Sequence, residues 1–252
     1  MAHRSDSAAW DDQTPRDPLE YAVSVRDRDV LSMVRTALAT DNCQLAMQPV
    51  CTAAKGYPVA FYECLIRVMD ETGRVIPAAQ FMGQIEETSL GRDIDAASLR
   101  LAFRLLQRDP TLRLSVNVSA RSLGDAAWRR VLDSELASAS MYAERLILEI
   151  SEASAMQLPE VVIRFMEEMQ PHGLAFALDD FGAGMTAFRH LKDFFFDLVK
   201  VDSHFTRNIH SDPDNQVLAE ALITVAHQFE MFAVAEGVES QAEADFLISI
   251  GA

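Results

Sequence analysis

Asp179 and Asp180 stand side by side in Leu-Ala-Phe-Ala-Leu-Asp-Asp-Phe-Gly-Ala-Gly. The apolar run 174–178 reads as a buried strand, and Gly182 and Gly184 permit a sharp turn beyond the two carboxylates. Neighbouring carboxylates repel each other, so a partly buried pair needs a cation or a proton to relieve it. That is the chemistry of a divalent-metal site. The same residue types also build solvated turns, and the segment alone fits either reading.

Other polar groups repeat the placement. Glu63 interrupts Val-Ala-Phe-Tyr-Glu-Cys-Leu-Ile-Arg, Asn117 ends Leu-Ser-Val-Asn, Glu149 ends Leu-Ile-Leu-Glu, and Glu236 follows Phe-Ala-Val-Ala. Lys200 and Asp202 share one face of Leu-Val-Lys-Val-Asp by the period of two. A single strand-end Asp or Asn is more often a turn residue or a helix cap. Glu63 and Lys200 lie within apolar runs, where an unpaired charge is expensive. The repetition at successive strand ends therefore argues against caps alone. Carboxylates with an amide oxygen, and without a Cys or His partner, form a hard-oxygen donor set that favours Mg²⁺ or Mn²⁺ over Zn²⁺.

The elements that must carry these groups follow from periodicity. Residues 1–27 are polar and read as a flexible tail, with the folded domain at 28–252. Strands are predicted at 44–50 and 57–68, joined as an antiparallel hairpin, then at 113–118, 145–150, 174–178, 197–201 and 232–235. Val30, Met33, Val34 and Leu38 have helical spacing, and further helices are predicted at 78–87, 94–107, 124–137, 159–169, 216–229 and 241–248, with Pro159 suited to a first helical turn. Short apolar strands alternating with amphipathic helices imply a mostly parallel sheet covered by helices. The expected fold is α/β, a (β/α)-barrel stopping one β/α unit short, with an open doubly wound sheet as the alternative. In a barrel the polar strand ends converge at the C-terminal face of the sheet.

Composition narrows the class. The chain has 252 residues, 49% of them apolar and 24% charged, and a net charge of −16. That acidity argues against a DNA or RNA groove, which needs clustered Lys and Arg. It leaves room for a small anionic ligand, because bound cations invert the local field. Three cysteines without metal-ligand spacing suggest a reducing compartment, and no run approaches a membrane span or a signal peptide. A cytoplasmic location is expected.

Taken in order, the motifs resemble the EAL-domain family, bacterial phosphodiesterases that linearise cyclic di-GMP. Glu63-Cys64-Leu65-Ile66-Arg67 is similar to the signature Glu-Ala-Leu-x-Arg, and Gln48-Pro49 to the Gln-Pro that begins the domain. Asn117-Val118-Ser119 resembles Asn-x-Ser, Glu149-Ile150-Ser151-Glu152 resembles Glu-x-Thr-Glu, and Asp179 to Gly184 resembles Asp-Asp-Phe-Gly-Thr-Gly. Lys200-Val201-Asp202 and Ala235-Glu236-Gly237-Val238-Glu239 complete the series.

The resemblance implies a modified (β/α)₈ TIM-like barrel with one antiparallel strand, and metal-dependent hydrolysis of cyclic di-GMP to linear pGpG. It implies that Glu63, Asn117, Glu149 and Asp179 hold a first Mg²⁺ or Mn²⁺, and that Asp180 helps hold a second. Lys200 and Glu236 would position or activate the attacking water, with Asp202 and Glu239 in support. Glu152 would tie down the loop after Asp180, and Gln48 and Arg67 would contact guanine and phosphate. A homodimer is compatible with the family pattern.

Departures from the pattern are Cys64 for Ala, Val68 for an aromatic residue, Met185-Thr186-Ala187-Phe188 for Tyr-Ser-Ser-Leu, and no Gln-Gly segment before Ala252. The last two favour, as the alternative, a weakly active or inactive cyclic di-GMP receptor or an interaction scaffold.

Overall fold

The computed structural model describes residues 18–138, 140–184 and 191–252. β1 (Cys43–Cys51) and β2 (Val59–Met69) form the antiparallel hairpin, and β3 (Val75–Ile76) adds a short edge to β2. β4 (Leu114–Asn117), β5 (Leu146–Ser151), β6 (Ala175–Phe181), β7 (Leu198–Val201) and β8 (Phe232–Ala235) then follow β2 in parallel. The order β1-β2-β4-β5-β6-β7-β8 is a mostly parallel sheet curled into a half-barrel. Within the described residues β1 and β8 are not paired with each other, so the sheet is open between them.

Strand periodicity divides the interior into layers. On the outer face, Val116, Leu148, Phe176, Val199 and their neighbours pack against helical Leu99, Phe103, Trp128 and Phe165 to form the main core. On the inner face, Phe61, Ile147, Ala177 and Leu198 form a second, smaller cluster with partly buried Val234. Two residues further along each of these strands, and so on the same face, stand Glu63, Glu149, Asp179, Lys200 and Glu236. The sheet thus lays a polar layer on an apolar floor, at the C-terminal ends of its parallel strands.

Element ends follow local chemistry. The helix Pro213–Gln228 begins with Pro213 after Asp212, whose side chain accepts from the amides of Asp214 and Asn215. That cap sets its start three residues earlier than periodicity indicated. The helix Ser89–Arg108 likewise starts early, at the Thr88 cap. The segment 78–87 divides into a 3₁₀ turn, Ala78–Gln80, and a helical turn, Met82–Ile85.

The first helix, Pro18–Ala39, reaches into the stretch read as tail, and residues 1–17 lie outside the described residues. The Met185–Phe188 loop and His190 also lie outside them. Of the three consecutive phenylalanines, Phe194 and Phe196 are buried and Phe195 is exposed. No helix among the described residues is long and apolar enough to cross a membrane.

Candidate metal centre

Lys200 is the hub of the polar layer. Its Nζ donates to Glu63 Oε2 at 3.0 Å and to Glu149 Oε2 at 2.8 Å. It also lies 2.8 Å from Glu236 Oε1 and 3.0 Å from Asp179 Oδ1. An ammonium has three hydrogens and here faces four carboxylates, so one carboxylate contact must lack a hydrogen bond. Asp179 Oδ1 is buried without a hydrogen-bond partner, as is Glu149 Oε1. Asn117 Nδ2 reaches Glu63 Oε1 at 3.4 Å, which brings the amide of β4 to the same rim.

Asp179 and Asp180 pose a geometric problem, since successive strand residues point to opposite faces. A β-bulge resolves it. Leu178 pairs with Val199 and Phe181 with Val201, so β6 spends one residue more than β7 over this stretch. Asp180 adopts the left-handed conformation (φ 56°), uncommon outside glycine. Ligand atoms of Asp179, Asp180 and Glu236 thereby come within 4.8 Å of one another, as do those of Glu63, Glu149 and Asp179. Asp179 belongs to both groups. The turn beyond is fixed by Glu152, whose Oε2 accepts from the Gly182 amide at 2.9 Å. Gly182 has φ +95°, and a Cβ there would meet Leu222 Cδ1 at 2.8 Å.

The remaining expected residues are placed less centrally. Gln48 is exposed on β1 opposite Glu63. It lines, with Glu63, Lys200 and Glu236, a groove of about 940 Å³ along the open side of the half-barrel. Arg67 lies further along β2 opposite Gln44, and its Nη1 donates to the Ile66 carbonyl. Asp202 caps the short helix Ser203–Thr206 through the His204 amide, outside the contacts of Lys200 Nζ. Glu239 is exposed, 3.7 Å from Arg207. Cys64 turns to the opposite face from Glu63 and packs in the main core.

Two residues not singled out by sequence, Asp95 and Glu243, brace the rim. Asp95 Oδ2 accepts from the Ser119 amide at 3.0 Å and from Ser122 Oγ at 2.6 Å, pinning the loop after Asn117. Burial pushes its carboxyl up to about 6, against the pull of those hydrogen bonds. Its signal was present: an acid one turn before Leu99 on the apolar stripe of Ser89–Arg108. Glu243 accepts from the amides of Asn208, Glu239 and Ser240, which hold its carboxyl down at about 2. Here the cue was the Ser-x-x-Glu capping box at 240–243. His204 Nδ1 lies 2.5 Å from Asp202 Oδ1, a pairing that ligand spacing does not reveal.

The donor set fits a divalent cation. It offers carboxylate oxygens from Glu149, which is buried, from Glu63, Asp179 and Glu236, which are partly buried, and from exposed Asp180, and two buried oxygens, Glu149 Oε1 and Asp179 Oδ1, have no hydrogen-bond partner. Burial raises the carboxyls of Glu149 and Glu236, and repulsion from Asp179 and Glu63 adds to the rise, although Lys200 pulls the other way. Burial disfavours the charge of Lys200 itself, yet Glu149, Asp179, Glu63 and Glu236 together raise its pKa. Asp180 is raised by burial and by Asp179.

Glu149 and Glu236 move from 4.5 to about 7, so between those values the fold holds protons that the unfolded chain has released. Their contribution to stability therefore falls as pH rises through that window. With EDTA present, the melting temperature is expected to drop between about pH 5 and about pH 8, and Glu149→Gln to flatten the slope. Because the acidic surface also responds to pH, the comparison with the variant is the test. An unchanged slope would clear Glu149 of the effect.

A curled β/α sheet whose charged side chains gather at the C-terminal strand ends defines a protein of the (β/α)-barrel class. Within that class the chain belongs to the EAL domain family, whose model matches residues 31–252. Cyclic di-GMP phosphodiesterase PdeR of Escherichia coli (strain K12) is 30% identical over 222 residues, covering 86% of this chain and 33% of PdeR. Cyclic di-GMP phosphodiesterase NbdA of Pseudomonas aeruginosa is 30% identical over 219 residues, covering 85% of this chain and 28% of NbdA. The chain thus spans about a third or less of the length of these relatives. Among solved structures, the FimX EAL domain from Pseudomonas aeruginosa bound to c-di-GMP superposes with a TM-score of 0.80 at 27% identity, covering 89% of this chain and 91% of that one. The PaMucR phosphodiesterase in complex with c-di-GMP gives 0.78 at 27% identity, covering 88% and 92%.

Proposed function

We propose that this chain hydrolyses cyclic di-GMP to linear pGpG with the help of two divalent cations, Mg²⁺ or Mn²⁺. The observation that carries the reading is the buried layer in which Glu63, Glu149, Asp179 and Glu236 all face Lys200. Glu63, Asn117, Glu149 and Asp179 would hold one cation, and Asp180 with Asp179 would help hold the other. Bound there, the cations would supply positive charge to the phosphodiester oxygens and acidify the attacking water.

The chain's own residues do the rest. Lys200 keeps a fixed positive charge where negative charge develops on the phosphate. Glu236 is the most open of the lysine's partners, its side chain 24% exposed against 0–15% for the others. It faces the groove, and its raised pKa suits it to orient the water and take its proton. Gln48, on the groove wall opposite Glu63, would contact a base edge, and Arg67, further along β2, a phosphate. Asp202 and Glu239 support the rim from behind through their cap and ion pair. Glu152 keeps the Asp180–Gly182 turn in register by its bond to the Gly182 amide.

The test is incubation of the full chain with cyclic di-GMP and Mg²⁺ or Mn²⁺, with chromatography of the products and Glu63→Ala as control. Metal-dependent pGpG that disappears in the variant is the expected result. Tight binding without turnover would make the chain a receptor, and no binding would leave a scaffold.

A further inference from the structure

We infer that the Lys200 ammonium is the resident counter-ion of the metal-free polar layer, and that a divalent cation must dislodge it from Glu63 and Glu149 in order to bind. The inference rests on the two-cation reading above and concerns what the site does before any cation arrives.

The geometry is specific. Three of the four carboxylates within 3.0 Å of Nζ, those of Glu63, Glu149 and Asp179, are the same three whose oxygens converge as one candidate ligand group. The fourth, Glu236, shares the second group with Asp179. Lys200 therefore touches members of both groups at once. Its side chain is 2% exposed and that of Glu149 is 0% exposed, so bulk water cannot provide the compensating charge. Buried carboxylates without a cation are strongly disfavoured, and the lysine relieves several of them with one charge.

The same placement opposes metal entry. A Mg²⁺ ion sits about 2.0–2.1 Å from its oxygens. An ammonium 2.8–3.0 Å from those same carboxylates would then stand against a double positive charge at close range. Lys200 can yield toward Glu236, which lies at the groove and already makes a 2.8 Å contact with it. The backbone stays in place, because β7 pairs with β6 and β8 and flanking Val199 and Val201 are sealed in the main core. The movement is confined to the side chain.

The experiment compares the full chain with Lys200→Met and Lys200→Arg, in the absence of nucleotide. Mn²⁺ affinity is measured by calorimetry, and melting temperature with EDTA and with Mn²⁺. Lys200→Met is expected to melt below the parent in EDTA, to regain more of its stability with Mn²⁺, and to bind Mn²⁺ about tenfold or more tightly, the scale on which a neighbouring like charge acts. Lys200→Arg, which keeps the charge in a bulkier group, is expected to bind Mn²⁺ no better than the parent. If Lys200→Met is unfolded in EDTA and folds with Mn²⁺, the role stands. If Lys200→Met does not fold at all, Lys200→Arg decides: tighter Mn²⁺ binding than the parent overturns the role, and equal or weaker binding upholds it. A folded Lys200→Met that binds Mn²⁺ no more tightly than the parent overturns it as well. A parent that binds no Mn²⁺ removes the two-cation reading itself, a result distinct from either.

Discussion

Asp179→Asn is expected to leave the chain folded and to lower cyclic di-GMP turnover by on the order of 10²- to 10³-fold, the range seen when one preorganised electrostatic contact is lost. The reason is position. Asp179 is the one residue common to both candidate ligand groups, so a single oxygen-to-nitrogen change would weaken both proposed cation positions together. The substitution keeps the side chain's shape, and Asp179 Oδ1 already lacks a hydrogen-bond partner, so the native contact it gives up is the 3.0 Å ion pair with Lys200, whose charge three other carboxylates still face. It also relieves repulsion within the layer, because Asp179 raises the carboxyls of Glu149, Asp180 and Glu236. Steady-state turnover with Mn²⁺, read beside a melting curve in EDTA, separates the two effects. Turnover within a few-fold of the parent would take Asp179 out of the metal ligands.

The largest expected effect on stability lies behind the same strand. Phe176 is fully buried on the outer face of β6, on the opposite side from Asp179. Its ring meets Phe165 edge-on at 5.9 Å, and Phe165 meets Trp128 at 5.8 Å, so three aromatic rings tie β6 to the helices Pro159–Met169 and Ala126–Ser138. The backbone of Phe176 is clamped as well, donating to Asp197 Oδ2 at 2.8 Å and accepting from the Asp197 amide at 2.9 Å. Phe176→Ala removes the ring and leaves a cavity in a rigid setting, for a cost of about 3–5 kcal/mol. Urea denaturation at fixed metal concentration measures it. A loss below about 1 kcal/mol would mean that Phe165 and its neighbours collapse into the space.

The polar layer could be read in sequence because its members obey two simple rules. Each lies two residues past an inward apolar residue, and each ends or interrupts a run too apolar to expose, as Glu149 ends Ile147-Leu148 and Lys200 interrupts Leu198-Val199-Lys200-Val201. The hairpin and the parallel strands follow from the same alternation. What periodicity could not supply is the pairing. A lysine among valines signals a buried partner, yet nothing local says that Glu63, 137 residues away, is one of them. The bulge at Asp179 and Asp180 was also out of reach, since strict alternation sends one of the two away from the site. The bracing residues Asp95 and Glu243 were overlooked because each bonds to loop amides, and loop conformation is set by tertiary contacts. Polar composition hid the first ten residues of Pro18–Ala39, although a proline at its first position is an ordinary helix start.

β2 belongs to two neighbourhoods at once. Near its end, Val68 is sealed into a satellite core with Val30, Val34 and Ala37 of the first helix, while Glu63 stands on its inner face at the polar layer. The two positions are five residues apart, roughly 16 Å of extended chain with no flexible joint between them. The satellite core is a separate cluster from the one beneath β4–β7. At Glu63, however, β2 pairs with β4 through Tyr62, Glu63 and Cys64, and Cys64 packs in the main core, so one continuous strand bridges the two clusters. The carboxylate that β2 brings to the lysine is thereby held from two cores at once, and damage to either core is felt at the same side chain.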